Sequence, residues 1–526
     1  MHDLETLRSG GYKGAGLTEL RLTCLLAAFP DEILELGDTV EVLDLSGTRL
    51  SSLPANLGSA LPKLKAAFFS NCNFKVLPRE LASCPNLETV AFRNNAMEEI
   101  PEDALPPRLR CLILTGNRLT SLPSSIGRCE RLQQCMLAGN QLRDLPAEMA
   151  NCKKLTLLRL SSNRLSTLPP WLFTLPELAF LSFASNPCAS PTTNGLHTPR
   201  GLASIAWSDL EVQQPLDADA SLGLWHQSPH YAEDVAIKLF RDSPTGGQQD
   251  DDDDGSAADE MAAYLAAGAH ESLVTILGRI HGHPDEDDAS STSEEGIFQG
   301  GIVTQRIPEE YTPLDTFPLL HNQSSPPPPA PPLSEGSLPL APSERDQQPP
   351  PPPSEAQPEP TPTTLDAATA LAMLTGLAHA LSHLHSRGLA HGAVQPHAIL
   401  ASAADAHALL TGFRAATLYG RGLTAARENG VQIGSGSGSA SEMERVEVLA
   451  FGRVVEYFLG VVVDSGGGDD EKGEGQGGVE RGLAELGARC VVPEVGARPG
   501  FGEVVEVLEG MMGWRGMMRI PDVEPR

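Results

Sequence analysis

The chain has 526 residues, with 38 Lys plus Arg against 68 Asp plus Glu, a formal net charge of −30. That length has room for about three domains, and the carboxylate excess argues against DNA, RNA and anionic lipid as ligands, because phosphate contacts need Lys and Arg. The 50 Gly and 44 Pro together stand at about 18% of the chain, above the usual ~12%, so either the chain is loop-rich throughout or the excess sits in inserts.

The first sixteen residues are polar and read as an N-terminal cap; they lack the apolar core of a secretory signal. No sequence run is expected to reach the ~18 apolar residues of a membrane span, so neither membrane insertion nor nucleic-acid binding is expected. The nine cysteines show no Cys-x-x-Cys pair with a matching downstream cluster. Cys84, Cys129 and Cys152 recur at one place in a repeat and read as small buried hydrophobes. A reduced, cytoplasmic protein is expected.

From residue 17 to about 190 the pattern L-x-x-L-x-L-x-x-N-x-L-x-x-L-P recurs. Leu109, Leu112, Leu114, Asn117, Leu119, Leu122 and Pro123 make one copy; Leu155, Leu158, Leu160, Asn163, Leu165, Leu168 and Pro169 make another. Starts at 40, 64, 87, 109, 132, 155 and 178 are spaced by 22 to 24 residues, with a weaker copy opening at Leu17. The pattern is similar to a leucine-rich repeat array of about eight units, an α/β solenoid. Each L-x-L is a short strand feeding a shared core, and stability comes from stacking neighbours. The Asn is expected to bond turn backbone and build a ladder, with Thr48 and Cys72 in its place in two repeats.

The third, fifth and seventh positions of each copy should line the concave face. From Val40 onward only Asp44, Arg93 and Arg159 among these 21 positions are charged. Phe68, Ile113, Met136, Leu157 and Phe180 would form an exposed apolar stripe, the mark of a binding surface. Together with Arg93 and Arg159 they are the candidate contacts for a protein partner or for the rest of the chain.

After Pro187 the repeat stops. VAIKLF (235–240) reads as a strand, EMAAYLAAG (260–268) as a helix, HESLVTILG (270–278) as strand again, and 365–387 as a long Ala/Leu helix stopped by Gly388. HGAVQPHAIL (391–400), ALLTGFRAA (408–416), EVLAFG (447–452) and Arg498-Pro499 follow. In this order the segments over about 200–515 resemble a protein kinase domain, as in intracellular chains where leucine-rich repeats precede a compact kinase domain. The resemblance implies an α+β two-lobed fold. It also implies an ion pair of Lys238 with Glu260, and apolar packing between the lobes through Tyr264, Ile276, His391 and Phe413.

The same resemblance shows what is missing. Asp217, Asp219 and Leu222 stand where phosphate-cradling glycines belong. Ala393 stands at the base that accepts the substrate proton. Ala398 and Gly412 replace the two metal ligands, and Arg414 brings positive charge where a metal would sit. Phosphoryl transfer depends on positioning and metal electrostatics, so the domain resembles a pseudokinase with no catalytic residue. No cofactor is required; ATP remains possible through Lys238 and Glu260, and Mg²⁺ is not expected. The expected function is a signalling scaffold whose repeats bind a protein. The alternatives are an active Ser/Thr protein kinase and an ATP-binding, non-catalytic pseudokinase.

Four low-complexity inserts are expected in loops of this domain: acidic at 241–258, acidic at 284–296, proline-rich at 324–364 and Gly/Asp/Glu-rich at 465–478. The proline-rich insert holds 16 of the 44 prolines within 326–362 and reads as a disordered, extended spacer. Its P-x-x-P spacing suits an SH3 or WW module less well than it suits that role. No convincing Ala-Pro-Glu lies between Phe413 and Glu447, so Arg498 is expected to lack a carboxylate partner.

Overall fold

The computed structural model describes residues 2–189, 202–216, 219–242, 256–283, 297–317, 365–419, 438–462 and 476–513. The acidic runs at 250–254 and 285–295, the proline-rich tract and Asp217 lie outside the described residues.

A short helix α1 (Leu4–Arg8), N-capped by Asp3, opens the chain. Eight three-residue strands follow: β1 (Glu19–Arg21), β2 (Val42–Asp44), β3 (Ala66–Phe68), β4 (Thr89–Ala91), β5 (Cys111–Ile113), β6 (Gln134–Met136), β7 (Leu157–Arg159) and β8 (Phe180–Ser182). They form one parallel sheet in sequence order, with strand centres in register from Leu20 to Leu181. Most return paths carry a short helix, α2 (Leu57–Ala60) in one repeat and 3-10 turns such as Ser124–Arg128 in others, while the path from β4 to β5 has turns only. Prolines such as Pro123 sit at the N-caps of the 3-10 turns, where φ near −70° suits them.

The expected asparagine ladder is present. Asn117 Oδ1 accepts from the N–H of Asn95 (3.1 Å) and Met97 (2.8 Å), while its Nδ2 donates to the carbonyls of Phe92 (2.8 Å) and Leu114 (2.9 Å). Asn140, Asn163 and Asn186 repeat this, each bridging to the repeat before it. Thr48 and Cys72 meet at 3.2 Å in the first rungs. One position before these residues the backbone is left-handed in seven repeats: Gly47, Asn71, Asn94, Gly116, Gly139, Ser162 and Ser185 all have positive φ. At Gly116 a Cβ would also meet Asn94 Oδ1. The nine cysteines are free. Cys84 and Cys129 are pushed up to about 11 by burial, and Cys152 to about 12, which fits apolar packing rather than thiolate chemistry. Phe69, Phe74 and Phe92 cluster with centroids 5.0 to 5.6 Å apart, a packed aromatic centre that the leucine pattern does not announce.

Beyond the repeats lies a second unit. Its sheet contains β9 (Ala203–Ala206), β10 (Leu210–Pro215), β11 (Ala220–Ser228), β12 (Tyr231–Asp242), β13 (Ile276–His281) and β14 (Ile297–Gln305), in the order β10-β11-β12-β14-β13-β9. All neighbours are antiparallel except β9 and β13. Helix α3 (Ala257–Ala267) follows β12 and starts at a capping box of Ser256 with Asp259. After β15 (Thr312–Pro313) comes α4 (Ala367–Ser386), then β16 (Leu389–Ala390), β17 (Ile399–Ser402), β18 (His407–Leu410) and β19 (Thr417–Leu418). Helices α5 (Gly438–Val461), α6 (Gln476–Cys490) and α7 (Phe501–Gly513) complete it.

Several expectations are corrected. Strand β13 begins at Ile276, because His270–Leu273 form a turn closed by Leu273 N–H to His270 O. EVLAFG (447–452), which by the kinase resemblance should open a helix, lies inside α5. Two inserts are narrower than expected: β12 reaches Asp242 and Ser256 caps α3, while α6 starts at Gln476. The expectation that no run is apolar enough for a membrane span fails at α4, which is long and apolar enough by composition to cross a membrane. Leu371, Leu374, Leu377, Leu381 and Leu384 are nevertheless buried in the core of the second unit, so its apolarity serves packing.

Candidate functional site

The hairpin from β10 to β11, helix α3 and the segment after β18 converge on Lys238. Lys238 sits in β12, and its Nζ lies 3.1 Å from Glu260 Oε1. Burial alone would lower Lys238, but the Tyr264 hydroxyl and the Glu260 carboxylate outweigh it and leave the amine above its ordinary value. Arg414 completes the cluster: its Nη2 is 2.9 Å from Asp219 Oδ2 and its Nε is 3.6 Å from Glu260 Oε2. Two cations and two carboxylates therefore link the β10–β11 hairpin, β12, α3 and the segment after β18. The Lys238–Glu260 pair was expected; the tie from Arg414 to Asp219, 195 residues apart, was not.

Below this cluster three rings pack at tilted angles. Tyr264 and Phe413 have centroids 4.8 Å apart, and Phe413 and His391 5.1 Å. Ile276 packs on the edge of the same core. Burial holds His391 below its ordinary pKa, and its Nε2 lies 2.8 Å from Thr411 O. Ala398 is buried, with its carbonyl accepting from Thr411 N–H at 2.9 Å. Gly412 beside it is left-handed, at φ 76°, the conformation glycine takes most cheaply. Ala393 is half-buried. None of Ala393, Ala398 and Gly412 offers a side-chain acceptor or metal ligand.

A buried Tyr–His–Glu chain supports this loop. His385 Nδ1 is 2.6 Å from the Tyr419 hydroxyl and its Nε2 is 2.8 Å from Glu447 Oε2. The other Glu447 oxygen accepts from Gly392 N–H at 2.5 Å. Burial would raise Glu447, but the His385 hydrogen bond and the neighbouring imidazoles prevail and hold it below the usual carboxylate range.

The last repeats pack directly on the second unit. Arg159 Nη1 donates to Gly392 O at 3.0 Å, and Phe183 N–H to Thr417 Oγ1 at 3.1 Å. Ser185 Oγ bonds Asp259 on α3. Gly392 has φ 75°, and a Cβ there would meet Ala415 O at 2.4 Å and Leu181 O at 3.1 Å. Arg498 makes no carboxylate pair among the described residues. Instead it donates to three carbonyls: Val492 (3.0 Å), Arg445 (3.2 Å) and Pro176, just before the last repeat (2.6 Å). Burial lowers Arg498 to about 10. Ala390, Tyr419, Met443 and Val446 join the core of the array, and Ala179 joins that of the second unit.

The expected exposed apolar stripe is not exposed. Ile113 is 4% accessible, Met136 6% and Leu157 8%, packed with Ala91 and Cys111 and flanked by the half-buried Phe68 and Phe180. Paired parallel strands lie ~4.8 Å apart, so side chains of this size cover one another. Arg93 is half-buried, and Arg159 is buried under the second unit.

Comparison with known proteins bears on the array. Residues 107–165 match the leucine rich repeat family model. The chain is 34% identical to Receptor-like protein 39 of Arabidopsis thaliana over 115 residues, 21% of this chain and 13% of that protein. It is 29% identical to PH domain leucine-rich repeat-containing protein phosphatase 1 of Homo sapiens over 89 residues, 16% of this chain and 5% of that protein. It is 33% identical to Adenylate cyclase of Podospora anserina over 111 residues, 19% of this chain and 5% of that protein. These matches thus span 13% or less of each curated relative. A solved leucine-rich repeat protein of Leptospira interrogans is 25% identical, covering 35% of this chain and 52% of that one, at a TM-score of 0.29. The chain contains leucine-rich repeats.

Proposed function

We propose that this protein is a non-catalytic signalling scaffold. The repeat array recruits a protein partner, and the second unit is a degenerate protein kinase fold that serves as a docking or allosteric module in the cytoplasm. The observation that carries this reading is the closed charge cluster Lys238–Glu260–Arg414–Asp219. In a kinase cleft the lysine and its glutamate face the phosphates, and the glycine-rich loop covers them. Here Arg414 draws Asp219, in the hairpin at the place of that loop, into an ion pair of its own. A triphosphate would have to displace one carboxylate and approach another. The alanines at 393 and 398 and Gly412 leave no base and no metal ligand. The strand order β10-β11-β12-β14-β13 with α3 after β12 is compatible with the small lobe of such a fold.

The array's half-buried Phe68, Arg93 and Phe180, with the exposed rim residues Lys65 and Arg110, are the accessible contacts for a partner on the concave side. A pull-down with Phe68 and Arg93 both changed to Glu that keeps every partner would remove this side as the contact face.

Thermal-shift titration with ATP, with and without Mg²⁺, followed by a phosphotransfer assay tests the second unit. No shift and no transfer are expected. Transfer that Lys238→Ala abolishes would overturn the scaffold reading. The retained Lys238–Glu260 pair favours one other reading, metal-free ATP binding without transfer. An ATP shift that persists in EDTA, with no transfer, would replace the leading reading with that one.

A further inference from the structure

Two adjacent carboxylates on α3 serve two different parts of the molecule. Asp259 accepts from Ser256 Oγ at 2.7 Å, closing the helix cap, and is held by Ser185 Oγ of the last repeat. Glu260, the next residue, is held by Lys238 and Arg414 in the cleft. Both carboxylates are 4% accessible. The other end of α3 is fixed independently: Arg387 Nε donates to Ala266 O at 2.6 Å, and His383 Nε2 lies 2.8 Å from Ala267 O. The helix is thus anchored by α4 at its C-terminus, by the repeat array at its N-terminus, and by the cleft in between.

We propose that α3 is the coupling element between the repeat array and the cleft, with Ser185–Asp259 as its array-side latch. An event that shifts the last repeat moves the first turn of α3, and Glu260 rides on that turn. Linkage makes the effect reciprocal: whatever stabilises the closed cleft cluster stabilises the packing of the last repeat, and the reverse. A partner on the array then alters the cleft without touching it. This goes beyond the scaffold reading and holds whether or not the second unit binds nucleotide.

The test is hydrogen–deuterium exchange with mass spectrometry on the full chain. Ser185→Gly removes the hydroxyl and suits the positive φ of 53° at that position. Exchange is expected to rise at least about tenfold in 257–267 and in 236–240, with residues 40–140 unchanged. In the reverse arm, Lys238→Ala is expected to raise exchange in 181–186. As a control, Arg159→Ala breaks an interface contact away from α3 and should leave 257–267 unchanged. Faster exchange confined to 183–187, or spread evenly over both units, would overturn the proposal. If Ser185→Gly does not fold, the Lys238→Ala arm decides: unchanged exchange at 181–186 refutes the coupling.

Discussion

Replacing Asn117 with Ala takes one rung from the ladder of the array. The amide makes four good bonds: two from N–H groups at 3.1 and 2.8 Å and two to carbonyls at 2.8 and 2.9 Å. Asn117 is 5% accessible, so water does not replace them. A net hydrogen bond is worth about 0.5–1.5 kcal/mol, and an orphaned buried group costs about 1–3 kcal/mol. Neighbouring backbone partially compensates, so about 3 kcal/mol of lost stability is expected, near the top of the usual range for one substitution. The neighbouring Arg118 is exposed, and Arg118→Ala should stay within about 0.5 kcal/mol of the parent. Equilibrium urea unfolding followed by circular dichroism compares the two. Asn117→Asp should be worse than Asn117→Ala, because it aims a carboxylate at the Phe92 and Leu114 carbonyls. If Asn117→Ala falls within 0.5 kcal/mol of Arg118→Ala, the ladder carries no stability and the reasoning fails.

Gly392→Ala should destabilise by about 1–2 kcal/mol for the left-handed backbone alone. The approach of a Cβ to Ala415 O at 2.4 Å and to Leu181 O of β8 at 3.1 Å adds to that, and a melting temperature equal to the parent's refutes the close packing around this loop. Removing Glu260 leaves Lys238 and Arg414 facing each other, and breaking a buried pair this way typically costs about 3–5 kcal/mol; Glu260→Gln, still able to accept, should cost clearly less in the same denaturant assay. Acidification has a fixed sign. His391 is held below its ordinary value of 6.5 by burial, so below pH 6.5 the unfolded chain binds more protons than the native one. Stability present at pH 7 is therefore lost as pH falls through 6.5 toward the native pKa; Glu447, also lowered, adds a second loss at more acid pH as it titrates below its ordinary value of 4.5. Melting temperature measured from pH 7.5 to 5 should fall, and His391→Gln should flatten the slope; a slope unchanged by that substitution rules His391 out as its source.

The array was legible because each repeat restates the same physics every 22 to 24 residues, so register errors correct one another. Lys238, Glu260, Tyr264, Phe413 and His391 were legible for a different reason: their spacing matched a known order of segments, and the structure brings all five together. What the sequence hid was pairing between distant places. Nothing in the neighbourhood of Arg414 points to Asp219, and nothing near Asp259 points to Ser185. Arg498 illustrates the limit best. The sequence offered Arg498 no Ala-Pro-Glu partner, but nothing in it pointed to the carbonyl of Pro176, 322 residues away, that Arg498 reaches. The apolar stripe misled because a list of strand positions gives chemistry without crowding; at strand spacing, Ile113 and Met136 shelter each other.

The charge of the chain is also placed unevenly. Residues 1–190 hold 19 Lys and Arg against 19 Asp and Glu, so the array is neutral and all of the −30 lies from 191 onward. Within the described second unit, buried Glu260 is paired with Lys238 and Arg414, and buried Glu447 is hydrogen-bonded to His385. The three arginines that tie distant parts together, Arg159, Arg414 and Arg498, each use the geometry of a guanidinium to reach carbonyls or carboxylates on separate segments, Arg414 and Arg498 several at once. A Lys ammonium is a compact point charge, more strongly hydrated, and cannot present that planar fork. Holding the array against the second unit is thus a matter of directed donors and close packing. The contacts that join them lie at under one-tenth accessibility for Arg159, Asp259 and Arg498, where salt screens little. The union of the two units should therefore persist at ionic strengths that screen exposed ion pairs such as Lys65–Glu41.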